Sequence, residues 1–248
     1  MANWSTGWSR KCLPSDLKTS YSGRELSKPF DRESSMNWID FVLIALLLTM
    51  VIVGAKKGLV RELSAFIVFF AAIVLTVNYV DVFAVWVYNR IGGSPLVSAF
   101  ISFVLLAAIC YGVFKLAAWL FYKVASVKAQ GKPDQVGGAI VGLIRGWIMV
   151  GYLVLVAFLL PLPESFYVAF DNSALGKVIA KTVPLMYEGT KVMHPANPTF
   201  MGKVENTLLG AQTTSTKPSG KGTVDDRREQ VYRTMYQIDR FFSLQSGT

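Results

Sequence analysis

The chain of 248 residues is 52% hydrophobic and 17% charged, with a mean hydropathy of +0.41. Soluble domains carry about a quarter charged residues, so the composition belongs to a membrane protein and not to one or two soluble domains. A single histidine, His194, rules out a poly-histidine metal site or an H-E-x-x-H protease, and two cysteines, Cys12 and Cys110, rule out a disulfide scaffold or a Cys-rich zinc site. The net charge of +9 comes from basic residues spread along the chain in nothing longer than pairs such as Lys56-Lys57 and Arg227-Arg228. No nucleic-acid motif accompanies them, so nucleic acid is not expected as a partner. A positive excess is what cytoplasmic loops of a membrane protein carry.

Residues 1–35 are rich in Ser, Lys and Arg, lack periodicity, and hold six Lys/Arg and four Asp/Glu. They read as a disordered N-terminal extension, with Met36 as a candidate start. A signal peptide ending near Ala55 is the competing reading. Asp40 interrupting the apolar run and Lys56-Lys57 directly after it argue against that.

Four apolar stretches follow, at about residues 38–55, 63–80, 96–122 and 136–160. Each reaches or nearly reaches the length that crosses about 30 Å of hydrocarbon as a helix, and backbone groups unpaired in lipid are excluded. The fold class is therefore an all-α integral membrane protein. Residues 36–161 form a domain of four transmembrane helices, and residues 162–248 a polar, soluble helical tail. The lipid bilayer is the first partner implied. Short loops one and three hold Lys56, Lys57, Arg61, Lys123, Lys128 and Lys132, whereas in loop two Arg90 is balanced by Asp81. Loops one and three should face the cytoplasm and both termini should lie outside it. The basic N-terminal segment argues weakly for the reverse.

In the tail, residues 173–185 can form an amphipathic helix ended by Pro184. Residues 212–223 have linker composition. Residues 225–244 suit a last helix, with Val231, Met235, Ile238 and Phe242 on one face, lying on the membrane surface or on the bundle.

The densest motif opens the fourth span. Gly138, Gly142 and Gly146 recur every four residues and line one helix face, where absent side chains let another backbone approach. That face is a helix-packing seam, used either within the chain or to build a homo-oligomer. Arg145 beside it lies about 13 Å along the helix from Val136. Lys115 in the third span falls at a similar level, and Glu62 at the entry of the second span can pair with either. These residues form a polar cluster for an ion, a lipid head group or a small solute, or else two long side chains that snorkel to the interface. In the first loop Gly54 and Gly58 permit a tight reversal, and Arg61 and Glu62 then open the second helix. They serve as a topology anchor and a first-turn acid, or as a site for a cytoplasmic or lipid partner. Asp40, at the outer end of the first span, reads as a helix-start cap or a solvated acid, on the opposite side from Arg145. Cys110 reads as a buried small side chain. His194 has no nucleophile context, and no catalytic residue, metal site or cofactor is indicated.

Three stretches together resemble the bacterial CvpA (colicin V production protein) family. They are Trp38-Ile39-Asp40-Phe41 at the first span, Gly58-Leu59-Val60-Arg61-Glu62 before the second, and Asp134 with Gly138, Gly142, Arg145 and Gly146 at the last. The resemblance covers about residues 36–161. It implies an inner-membrane protein associated with colicin V production or export and with envelope homeostasis, without established catalysis or cofactor. Two further readings stand beside it: an oligomeric channel or transporter for a small solute, and a membrane anchor for a periplasmic, secretion or envelope partner.

Overall fold

In the computed structural model the described residues are 37–91, 94–124, 131–160, 162–190, 198–213 and 224–244. The expectations for residues 1–36, Cys12, Lys128, His194 and linker residues 214–223 lie outside them, whereas Gln212 and Thr213, read as part of that linker, end a helix. The described chain is built of helices: α1 (Trp38–Lys57), α2 (Leu59–Ile91), α3 (Pro95–Val124), α4 (Gly131–Phe158), α5 (Glu164–Asn172), α6 (Ala174–Ala180), α7 (Thr182–Thr190), α8 (Phe200–Thr213) and α9 (Val224–Phe242). Four segments are long and apolar enough to cross a membrane: Trp38–Lys57, Leu59–Ile91, Pro95–Ala117 and Lys132–Phe158.

The spans do not pack in chain order. α1 lies along α4, α4 also packs on α2, and α2 packs on α3, while α1 touches its sequence neighbour α2 only slightly. The residue pattern explains this. On α1, Ile39, Leu43, Leu47 and Gly54 are buried and repeat at helical spacing, whereas Phe41, Val42, Leu48 and Ile52 are exposed on the other sides. In lipid an apolar outer face is no penalty, so the small and close-packing side selects the neighbour. α2 buries the stripe Ala72, Ile73, Thr76, Val77, Val80, Ala84 and Val87. α3 buries Leu96, Ala99, Ser102 and Phe103 near its start, and then exposes Val104, Leu105, Ile109, Val113 and Leu116.

Several boundaries differ from the sequence reading, and α2 and α4 begin at Leu59 and Gly131, ahead of the 63 and 136 expected. α2 runs on to Ile91 and not to residue 80. Hydropathy falls at Asn78 and Asp81, but these polar groups are used: Asn78 Nδ2 donates to Val74 O at 2.8 Å, and buried Lys203 of α8 pairs with Asp81 Oδ2 at 2.8 Å. Pro184 does not end a helix. It stands in the first turn of α7, where a residue without an N–H costs no helical bond. The segment 173–185 is thus split at Lys181 into two helices. Gly54 is inside α1 and leaves the reversal to Gly58 alone.

The tail helices pack on the bundle, at the end where α4 finishes. Phe158 is fully buried there, with the rings of Tyr167, Phe170, Phe241 and Phe242 edge-on at 5.5, 5.0, 5.5 and 5.2 Å. Edge-to-face pairs of this spacing are favourable beyond the area they bury. Val231, Ile238 and Phe242 of α9 are fully buried, and α9 lies against α4 and α6. Of the two placements open in the sequence, contact with the bundle is the one seen.

Candidate functional site

The glycines of α4 face α1. A methyl group at Gly142 would lie 2.7 Å from Met50 O and 3.0 Å from Gly54 Cα, and one at Gly146 would lie 2.7 Å from Met50 Cβ. At Gly138 and Gly54 it would meet the other residue's carbonyl oxygen. The seam therefore has two glycine sides, antiparallel, with backbone against backbone. It is an intramolecular contact, and that face of α4 is occupied.

At the loop end of the seam the polar residues converge. Gly58 has φ +80, a conformation glycine adopts without steric cost, and it turns α1 into α2 in a single residue. The Asp134 carboxylate sits against Gly58 and accepts a hydrogen bond from Leu59 N at 2.8 Å. It thereby satisfies a free N–H at the start of α2, where a negative charge is favoured. One turn in, the Glu62 side chain is completely buried. Arg145 Nη1 lies 2.8 Å from Glu62 Oε1, and Lys57 Nζ lies 3.8 Å from Oε2. Side chains on helices lean toward the N-terminus, so Arg145 on α4 and Glu62 on α2 both point to the loop side and meet there. Neither Glu62 oxygen has an aligned hydrogen bond among the described residues. The contact is therefore one of charge on charge in a water-poor setting.

Asp40 forms a second junction, at the other end of α1. Asn37 caps α1, and Asp40 at the third helical position accepts from Asn37 N at 3.1 Å, closing a reciprocal capping box. The same carboxylate accepts from Ser173 Oγ at 2.6 Å and from Leu175 N at 3.0 Å, and Ser173 Oγ accepts from Gly176 N at 2.8 Å. One buried acid thus serves the first turns of two helices and joins α1 to α6. It is a cap, as read from sequence, but it is only 1% exposed and so is not a solvated acid. Asp40→Ala is expected to cost roughly 2–3 kcal/mol, because several buried donors lose their acceptor. Ser173→Ala should cost less. Limited proteolysis between α4 and α6 in detergent micelles checks it: cleavage rises in both variants and most in Asp40→Ala.

Of the sequence-derived residues, the structure brings together Gly58, Glu62, Asp134 and Arg145, with Gly138, Gly142 and Gly146 behind them. Arg61 is exposed beside them. Lys115 does not join the group: it is exposed and its ammonium lies 5.7 Å from the Tyr111 ring centroid. Lys57 takes the place that Lys115 was expected to fill. Cys110 is half-buried. Sequence reasoning gave Gly54 to the turn and not to the seam, where it meets Gly138 and Gly142, and it did not single out Asn37 or Ser173. The four-residue spacing of Gly54 and Gly58 repeats that of the α4 glycines and was a signal for the opposing face. Asn37 three residues before Asp40 has the spacing of a capping box. Ser173 carried no local signal, since its partner lies 133 residues away.

This is a multi-pass helical membrane protein, closed by a glycine seam and by acids that join helix starts at both ends. Among the described residues, no group of three His, Cys, Asp or Glu side chains is placed to hold a metal ion. The chain belongs to the colicin V production protein family, whose model matches residues 39–184. That range runs past α4 to Pro184, so it takes in α5 and α6 as well as the four spans. No curated protein and no solved structure matches the chain.

Proposed function

We propose that the protein is a non-enzymatic component of the bacterial inner membrane that supports colicin V production or export and envelope homeostasis. The family match over residues 39–184 carries this reading. The geometry is in keeping with it, because Asp40, Asp134, Glu62 and Arg145 are each engaged in joining helices. Exposed Lys56 and Arg61 lie beside the cluster and offer cationic contacts to phosphate head groups or to a cytoplasmic partner. A secretion or envelope protein is the partner class this role requires.

In a strain deleted for its own family member and producing colicin V, this chain should restore the zone of killing on a sensitive lawn. Failure to restore it, combined with solute flux in proteoliposomes that is lost in Arg145→Ala, would replace this reading with transport. The basic residues Lys56, Lys57, Arg61 and Lys132 support a cytoplasmic position for the α1–α2 and α3–α4 loops. A C-terminal alkaline phosphatase fusion should therefore be active and a C-terminal green fluorescent protein fusion dark. The opposite pattern inverts the topology.

A further inference from the structure

The chain does not simply leave the membrane after α4. Trp147 Nε1 donates to Thr182 Oγ1 at 3.0 Å, and a methyl group at Gly151 would lie 3.1 Å from both Ile179 O and Thr182 Cβ. The α6–α7 elbow is therefore seated against α4 well before its end at Phe158. The seam sets the depth. Leu47 faces Gly146, Met50 faces Gly142 and Gly146, and Gly54 faces Gly138 and Gly142. Continuing that antiparallel register places Gly151 opposite about Val42 and Trp147 opposite about Leu46, about 6 and 12 Å below Trp38. α1 has 20 residues, about 30 Å, and needs its whole length to cross the hydrocarbon. Trp38 thus marks the membrane boundary, and the elbow lies beneath it.

The elbow's two sides fit that position. Ile179, Ala180, Val183 and Tyr187 are buried against the bundle, while Val178 is 55% and Leu185 65% exposed. At the same level α1 also exposes apolar groups, Val42 and Leu46. Lys181 is also exposed, with a stem long enough to carry its ammonium up to the head groups, whereas the Lys177 ammonium lies 3.4 Å from Asp171 Oδ1. We propose that α6 and α7 form a membrane-embedded hairpin whose Val178 and Leu185 contact acyl chains of the leaflet on the Trp38 side, with Lys181 at its phosphates. Non-spanning backbone is tolerated at this depth because its inner side is held by protein.

The test uses the full chain with Cys12→Ser and Cys110→Ala, in vesicles of phosphatidylcholine and phosphatidylglycerol. Nitroxides are placed singly at Val178→Cys and Leu185→Cys, with Leu48→Cys on α1 and Asn206→Cys on α8 as lipid and water references. The ratio of oxygen to nickel-chelate accessibility at 178 and 185 should group with Leu48 and exceed that at Asn206 severalfold. Ratios that group with Asn206 overturn the proposal. Labels shielded from both reagents also overturn it, since another protein surface would then cover the face.

Discussion

Arg145→Ala is expected to destabilise the folded protein by about 3–5 kcal/mol, the cost of leaving one member of a buried ion pair without its partner. Glu62 is wholly buried, its nearest cation is the Arg145 guanidinium at 2.8 Å, and Lys57 at 3.8 Å is half in solvent. Lys57 is too distant and too exposed to take over the charge. Replacing both partners with apolar groups, Glu62→Leu with Arg145→Met, removes the desolvation cost together with the attraction. Such exchanges are often neutral or stabilising. The double variant should therefore recover most of what the single variant loses. Denaturant titration of the wild type, Glu62→Leu, Arg145→Met and the double variant in detergent micelles yields the coupling. If the double variant is as unstable as Arg145→Ala alone, the pair is not what holds α2 to α4 here.

Gly142→Leu should be of similar or larger effect. Overpacking usually costs about 1–3 kcal/mol because neighbours shift to make room. At Gly142 the neighbours are Met50 O and Gly54 Cα, at 2.7 and 3.0 Å from an added methyl, and backbone has little freedom to move. The helices must separate, so a loss of about 3 kcal/mol or more is expected. Gly112→Leu is the control, since nothing lies within 4 Å of a methyl group there. Denaturant titration in detergent micelles should show the unfolding midpoint lowered by Gly142→Leu and little changed by Gly112→Leu. An equal midpoint in both would mean that α1 and α4 do not meet along the glycine face.

How much of this was legible in the sequence depends on the range of each interaction. The four spans were, because burial in lipid is written as long apolar runs. The glycine face of α4 was too, because its period is local. Its partner was not assigned, since Gly54 looked like part of a turn and nothing local distinguishes a helix-breaking glycine from one that lets two backbones touch. The length of α2 was hidden for a different reason. Asp81 lowers local hydropathy, and only its pairing with Lys203, 122 residues away, shows why the helix continues. Lys115 and Lys57 were exchanged because depth along a helix does not say which side of it a residue occupies. The join between Asp40 and Ser173 depends wholly on tertiary contact, so the sequence could assign Asp40 to a cap but not identify the second helix it caps.

Asp40, Asp134, Glu62 and Arg145 each join helices, and the function proposed for the chain takes that packing as their role. The measurement that bears on it most directly is colicin V killing by the deleted strain complemented with Glu62→Leu/Arg145→Met. With the variant present in the membrane at the wild-type level, a killing zone like that of the wild-type chain is expected. A correctly folded, equally abundant double variant that leaves the strain unable to produce the zone would contradict it, and would assign the Glu62–Arg145 pair a role in the activity itself.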